Sequence, residues 1–165
     1  MQDQISFDAL MPPEMAGKAE NTGVNKSKVN SFRMFALAVL AGAFIALGAV
    51  FSTTATTGGS ALSYGVVRIL GGLTFSLGLI LVVVAGAELF TGNNLIVMAW
   101  ASHKVSTAQL LRNWIIVYLG NFVGSVLTAY MMFLSKQYEF SGGTVGLNSL
   151  NIAHSKSLLE FVQAI

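Results

Sequence analysis

The sequence predicts an all-α integral membrane protein with three membrane-spanning helices, the second of which is broken. Of its 165 residues, 54% are hydrophobic and only 10% are charged, whereas about a quarter of the residues in a typical soluble domain are charged. No charged residue occurs between Met34 and Val67. A second long apolar stretch begins at Ile69 and is interrupted by the polar segment GAELFTGNN at 86–94. These patterns are typical of a chain that buries its surface in lipid or against other membrane helices.

The composition also excludes several classes of protein. The formal net charge is only +2 and the basic residues are scattered, so no nucleic-acid partner is predicted. The chain contains no cysteine, which excludes a disulfide framework and a thiolate metal site. Glu88 is the one carboxylate predicted to be buried, and the sequence offers it no neighbouring histidine, cysteine or metal ligand. A membrane enzyme is therefore disfavoured, and we predict no catalytic residue, no metal site and no cofactor.

Residues 1–33 form a polar segment before the first span. Pro12 and Pro13 suit the first turn of a helix, and the good helix formers that follow predict an amphipathic helix at the membrane surface. A disordered tail is the alternative. The first residues, MQDQISFDALMPPEMAG, lack the basic-then-apolar layout of a secretory signal. Insertion is therefore expected to depend on the internal spans.

Residues 34–165 are predicted to form the membrane domain. The first apolar run is long enough to cross roughly 30 Å of hydrocarbon. The second run, from Ile69 to about Ala101, would measure roughly 45 Å as a straight helix, which is too long for the bilayer core unless it is broken or steeply tilted. The predicted elements are spans at about 34–51, 69–87 and 113–134, a continuation of the second span at 95–101, and the start of a fourth helix at about 157. Uncharged or weakly charged polar loops are predicted after the first and third spans.

The distribution of basic residues predicts the orientation of the chain. Cytoplasmic loops of membrane proteins carry an excess of lysine and arginine. Basic residues cluster before the first span and in the turn between the second and third spans, at Lys18, Lys26, Lys28, Arg33, His103, Lys104 and Arg112. The N-terminus is therefore predicted to be cytoplasmic.

The polar segment within the second run is the strongest functional signal. Backbone groups that are not helical at membrane depth are tolerated only when they are buried in protein or line a watery cavity. We expect two glycines to allow the break and four polar side chains to bond the freed groups; these residues are Gly86, Gly92, Glu88, Thr91, Asn93 and Asn94. Two alternatives stay open: the segment is simply the cytoplasmic end of the second span, and Glu88 only binds loop N–H groups.

The same residues carry a resemblance to a known family. The sequence resembles the formate/nitrite transporter family in four segments. These are GGLTFSLGLILVVVA, the GAELFTGN that follows it, LLRNWIIVYLGNFVGS downstream, and FDALMPPEMAGKAENTGVNKSK near the start. The resemblance implies an aquaporin-like fold of six transmembrane helices in two inverted halves, each with a broken helix. It also implies a homopentamer in the bacterial inner membrane, with a pore in each protomer that conducts small monovalent anions, formate above all.

The resemblance further implies roles for particular residues. Phe75 would form an outer hydrophobic constriction and Leu79 an inner one, while Leu89, Phe90 and Thr91 would lie on a loop that narrows the cytoplasmic half of the pore. Thr91 would hydrogen-bond a central pore histidine. A basic residue near the outer vestibule would match Lys156, and the helix at 8–22 would influence opening.

The chain departs from the family in length. The family is about twice as long, and its central histidine lies in the second half, whereas His103 and His154 fall in predicted loops. We therefore interpret the chain as the N-terminal half of such a channel, with the missing C-terminal half as a partner beside lipid and formate. The alternatives are a structural membrane subunit that conducts nothing, or a nitrite or hydrosulfide transporter of the same family.

Overall fold

The computed structural model describes residues 10–164, except for the side chains at positions 60 and 164. Within this range the chain consists of helices and connecting segments, with no β-strand. The helices are α1 (Pro12–Ser27), α2 (Ser31–Thr56), α3 (Tyr64–Val84), α4 (Phe90–Asn93), α5 (Ile96–Ala101), α6 (Thr107–Leu134), α7 (Thr144–Ser157) and α8 (Phe161–Ala164), with single 3-10 turns at Gly59–Ala61 and Gln137–Glu139.

Helices α2, α3 and α6 are each long and apolar enough to span a membrane. The side chain of Asn30 accepts the Phe32 N–H at 2.9 Å at the start of α2, and Ser106 and Gln109 form a capping box at the start of α6. These caps satisfy N–H groups that a helix leaves without partners. The predicted all-α membrane fold is confirmed, and so is the break after the second span.

Helix α2 packs between α3 and α6, and glycines permit the close contacts. A Cβ atom on Gly78 of α3 would lie 2.8 Å from the Phe44 carbonyl oxygen of α2. On α6, a Cβ on Gly124 would lie only 2.0 Å from the Val39 carbonyl oxygen. Small residues commonly allow membrane helices to approach in this way.

Much of the apolar surface of the three long helices is exposed in the isolated chain. Within the most apolar window of each helix, 28% of the residues are buried for α2, 22% for α6 and only 11% for α3. An isolated soluble domain does not expose apolar faces of this extent. The faces of α3 are therefore free for lipid or for other protein helices.

Helix α1 docks on α5. A Cβ on Gly23 would lie 3.0 Å from the Ala99 Cβ and 3.3 Å from the Ile96 Cα, and Val24 packs against the cluster that contains Ile96 and Ala99. The segment predicted to be either an amphipathic helix or a disordered tail is therefore helical over Pro12–Ser27. Residues 8 and 9 of the helix expected at 8–22 lie outside the described residues.

The largest difference from the sequence prediction follows the third span. The polar loop expected there contains helix α7, Thr144–Ser157, which ends where a fourth helix was expected to start. After a turn at Leu158, a single helical turn begins at Phe161. Asn148 donates to the Thr53 carbonyl oxygen at 2.9 Å, so polar contacts to the end of α2 hold α7. Helix α7 contains no long apolar run, so the hydropathy of the sequence does not predict it.

Candidate functional site

The break begins with a specific helix ending at Gly86. This residue has φ of 61°, a left-handed conformation that glycine adopts at little cost. Its N–H donates to the Val83 carbonyl oxygen at 3.2 Å, and the Ala87 N–H donates to the Val82 carbonyl oxygen at 3.0 Å. These two bonds form a Schellman motif, the common ending of a helix at glycine. Ala87 and Val82 also share a buried cluster with Ala41, which fixes the direction of the chain after the turn.

The short connection between Gly86 and α4 is not helical, Leu89 within it has an extended backbone, and hydrogen bonds hold the connection from two sides. The Glu88 N–H donates to the Leu37 carbonyl oxygen of α2 at 3.2 Å. On the other side, the side chain of Asn121 on α6 donates to the Glu88 carbonyl oxygen at 2.9 Å and accepts the Phe90 N–H at 2.9 Å. The freed backbone groups therefore bond to protein rather than to lipid, as burial at membrane depth requires.

A closed ring of buried polar groups lies behind the break. The Glu88 carboxylate accepts from Lys26 Nζ and from Asn93 Nδ2, each at 2.7 Å. Asn93 Nδ2 also donates to Asn113 Oδ1 at 2.9 Å, and Asn113 Nδ2 donates to the Lys26 carbonyl oxygen at 3.3 Å. Asn93 and Asn113 are fully buried and Glu88 nearly so. This ring joins α1, the break, α4 and α6, and the lysine compensates the buried carboxylate.

This arrangement differs from the expectation for Glu88. The carboxylate bonds side chains of Lys26 and Asn93 rather than loop N–H groups. Among the described residues, Asn93 Oδ1 is a buried side-chain atom without a hydrogen-bond partner.

The aromatic residue of the break points into the protein. The Phe90 ring meets the Tyr118 ring edge-on with centroids 5.5 Å apart, and the Trp114 ring with centroids 6.4 Å apart. Trp114 also donates through Nε1 to the Asn93 carbonyl oxygen at 3.1 Å. Phe90 packs against the buried cluster of α2 and α6 that contains Met34. Its position indicates that it anchors the break.

A concave site of about 280 Å³ opens on the other side of the break. It is lined by Lys26, Leu79, Val82, Val83, Gly86, Ala87, Leu89, Thr91, Gly92 and Asn93. Thr91 is exposed, and within residues 10–164 neither its hydroxyl nor its backbone N–H has a hydrogen-bond partner. The site therefore combines an apolar wall with free hydrogen-bond donors.

A second, charged contact joins α1 to the turn after α5. The Glu20 carboxylate accepts from Lys104 Nζ and from the Ser102 hydroxyl. These hydrogen bonds, led by that from Lys104, lower the pKa of the Glu20 carboxyl from its usual value. Together with the Lys26–Glu88 ion pair, this contact ties both the middle and the end of α1 to the region of the break.

Comparison with known proteins agrees with this architecture. The profile of the formate/nitrite transporter family matches residues 13–165, which includes every element of the break. The chain belongs to the formate/nitrite transporter family.

Individual relatives of the family match most or all of the chain. The chain is 45% identical to the formate channel FocA of Escherichia coli K12 over 165 residues, which are 100% of this chain and 58% of the relative. It is 42% identical to the formate channel FocA of Haemophilus influenzae over 153 residues, 93% of this chain and 54% of the relative. A solved structure described as a pentameric formate channel with formate bound is similar with a TM-score of 0.76 and 46% identity, over 81% of this chain and 52% of that chain. The chain thus spans little more than half the length of these relatives.

The structure brings some of the residues singled out by the family resemblance together and separates others. Leu79, Leu89 and Thr91 line one concave site. Phe75 is 41% exposed on α3 but does not line that site. Phe90 faces the core, and Lys156 is exposed on α7.

The remaining polar residues of the break have different surroundings. Gly92 lies inside the single turn of α4. Asn94 is exposed at the end of that turn, where its N–H donates to the Phe90 carbonyl oxygen at 3.0 Å. Asn93 alone of the two asparagines therefore belongs to the buried ring.

Three residues of the site were not singled out from the sequence. Lys26 appeared only as a basic residue that determines orientation, while Asn113 and Asn121 appeared only as letters of a motif. A signal for the asparagines was present, since amide side chains in an apolar span commonly bond neighbouring helices. No pattern in the sequence, however, indicates which backbone groups they reach.

Proposed function

We propose that this chain is part of a formate channel in which a narrow pore runs past the break between α3 and α4. Two similar proteins are described as formate channels, and a similar solved structure is described as pentameric with formate bound. A homopentamer in a bacterial inner membrane, with a pore in each protomer, is the assembly we propose for the complete protein.

The observation that carries the proposal is the concave site beside the break. An anion in the bilayer core costs several kcal/mol or more. A conduit must lower this barrier without binding the ion tightly. Leu79 and Leu89 supply an apolar wall that excludes large solutes, while the Thr91 hydroxyl and the Thr91 N–H supply donors for a carboxylate. An apolar constriction with few donors suits a small monovalent anion.

The second wall of this pore is proposed to come from the half of the family that lies beyond this chain. The residues that line the site belong to α1, α3, α4 and the segment between α3 and α4, and the apolar surface of α3 is largely exposed. The relatives are nearly twice as long as the matched region. A second half packed on α3 would close the pore and cover apolar surface that lipid otherwise covers.

We propose that the N-terminus faces the cytoplasm. The end of the molecule that contains α1 and the turn before α6 carries Lys26, Lys104 and Arg112. Arg112 donates to the carbonyl oxygens of Ser27 and Val29 at 3.4 and 2.8 Å. This concentration of basic residues at one end supports a cytoplasmic location.

The test is anion flux into vesicles that contain the intact protein. Formate should enter faster than in protein-free vesicles, and Thr91→Ala should reduce the rate because it removes an exposed donor. Thr128→Ala is the matched control, since the Thr128 hydroxyl donates to Gly124 within α6 at 2.9 Å and lies away from the site.

Two other functions make different predictions in the same assay. A structural subunit would pass no formate above the protein-free rate. A nitrite or hydrosulfide transporter would pass that anion and leave formate at background. Either result would contradict the proposal.

A further inference from the structure

Asn121 of α6 makes three hydrogen bonds, all of them to main chain on other elements. Its Nδ2 donates to the carbonyl oxygens of Ala38 at 2.8 Å and Glu88 at 2.9 Å. Its Oδ1 accepts the Phe90 N–H at 2.9 Å. Because one end of the amide must donate and the other must accept, these partners determine its orientation.

The two bonds to the break flank a single residue, Leu89. In a β-sheet, a neighbouring strand would likewise hydrogen-bond the carbonyl group of the residue before Leu89 and the N–H group of the residue after it. The amide of Asn121 therefore acts as a one-residue strand partner that fixes the backbone of Leu89. The Leu89 side chain lines the concave site, so fixing this backbone fixes one wall of the proposed pore.

Helices α2 and α6 are closely packed behind Asn121. A Cβ on Gly42 of α2 would lie 2.1 Å from the Asn121 carbonyl oxygen, so the two helix backbones are in direct contact at this level. The third bond, to Ala38 of α2, adds a fixed point on the same helix. The amide is thus held in place by two helices that are themselves continuous at this level, which suits a group that positions another.

We propose that Asn121 is the positioning residue that sets the aperture at Leu89 and hence the size limit for permeating anions. The inference rests on the proposed function. Loss of the amide leaves the peptide groups on both sides of Leu89 without their hydrogen-bond partner. These groups must then hydrogen-bond water or change position. A wider and less uniform constriction admits larger monocarboxylates relative to formate.

The experiment compares Asn121→Leu and Asn121→Asp with the unmodified protein in vesicles. Leucine is similar in size and removes all three bonds, whereas aspartate keeps an acceptor for Phe90 but faces two carbonyl oxygens without a donor. The measured quantity is the ratio of acetate or propionate flux to formate flux. We expect this ratio to rise several-fold in both variants.

The ratio separates positioning from a general structural role. A variant that only lowers the number of folded channels reduces both fluxes and leaves their ratio unchanged, and that result would overturn the proposal. Asn148→Leu is the matched control, because Asn148 also donates to an α2 carbonyl oxygen, that of Thr53 at 2.9 Å, but at the opposite end of the helix. Its flux ratio should equal that of the unmodified protein.

Leu89→Ala provides a second measurement if the Asn121 variants fail to fold. It keeps every bond of the amide and removes the side chain that the amide is proposed to position, so the ratio should rise as well. An unchanged ratio in Leu89→Ala would overturn the inference. If the unmodified protein passes no formate, the proposed function is wrong. If it passes formate but the flux ratio does not change in the variants, only the inference about Asn121 is wrong.

Discussion

Replacing Gly124 with alanine should force α2 and α6 apart. The added Cβ would lie 2.0 Å from the Val39 carbonyl oxygen and 2.9 Å from the Ala43 nitrogen. A carbon atom requires about 3.3 Å from a carbonyl oxygen even in a weak C–H···O contact, so the backbones must separate by about 1 Å. Both atoms belong to helix backbones, which cannot rotate away as a flexible side chain could.

The magnitude follows from the cost of overpacking. An extra methyl group in a packed interior typically costs about 1–3 kcal/mol. For a chain of this size, each kcal/mol lowers the melting temperature by about 2–4 °C. We therefore expect Gly124→Ala to lower the apparent melting temperature of the purified protein by about 2–12 °C, measured by circular dichroism at fixed protein and detergent concentrations.

Gly72→Ala is the matched control for this prediction. Gly72 lies in α3, and a Cβ there would have no atom of the residues that the structure describes within 4 Å. Alanine is also a better helix former than glycine by about 1 kcal/mol. This variant should melt at or above the temperature of the unmodified protein. Equal losses in the two variants, or no loss in Gly124→Ala, would refute the argument from close helix contact.

Two further predictions concern the contacts of α1. Lys26→Met should lower the free energy of unfolding by about 3 kcal/mol, because it leaves the buried Glu88 carboxylate without its ion-pair partner. In denaturant unfolding, the double variant Lys26→Met/Glu88→Gln should lose less stability than the sum of the two single variants. Additive losses would contradict the pairing. Since the pKa of Glu20 is lowered in the folded protein, its contact with Lys104 should add stability above the usual glutamate pKa and lose it as the pH falls through the lowered value. Melting temperatures of Glu20→Gln and the unmodified protein should therefore differ at neutral pH and converge in acid; a constant difference would exclude the linkage.

The break near Gly86 could be predicted from the sequence because it depends on local chemistry. A polar segment with glycine at its start cannot continue an apolar helix of excessive length through a bilayer. The structure ends α3 at Val84, within a few residues of the predicted position. The role of Gly86 follows equally from local chemistry, since a helix ending with φ of 61° favours glycine.

Helix α7 could not be predicted by the same reasoning. Its sequence, TVGLNSLNIAHSKS, is mixed in polarity and has no long apolar run. It lies against the end of α2, where Asn148 bonds Thr53. Contacts between distant parts of the chain, rather than an intrinsic pattern, therefore stabilise this element.

The broken-helix membrane architecture could be predicted from the sequence alone, because hydropathy, length and glycine chemistry act over short distances along the chain. Helix packing, by contrast, places Phe90 toward the core and Leu89 and Thr91 at the concave site. The same packing brings Asn121, Asn113 and Lys26 from two other helices to the break. A buried hydrogen bond depends on where two backbones meet in space. Residues more than sixty positions apart, such as Lys26 and Glu88, therefore carry no local signal of that meeting.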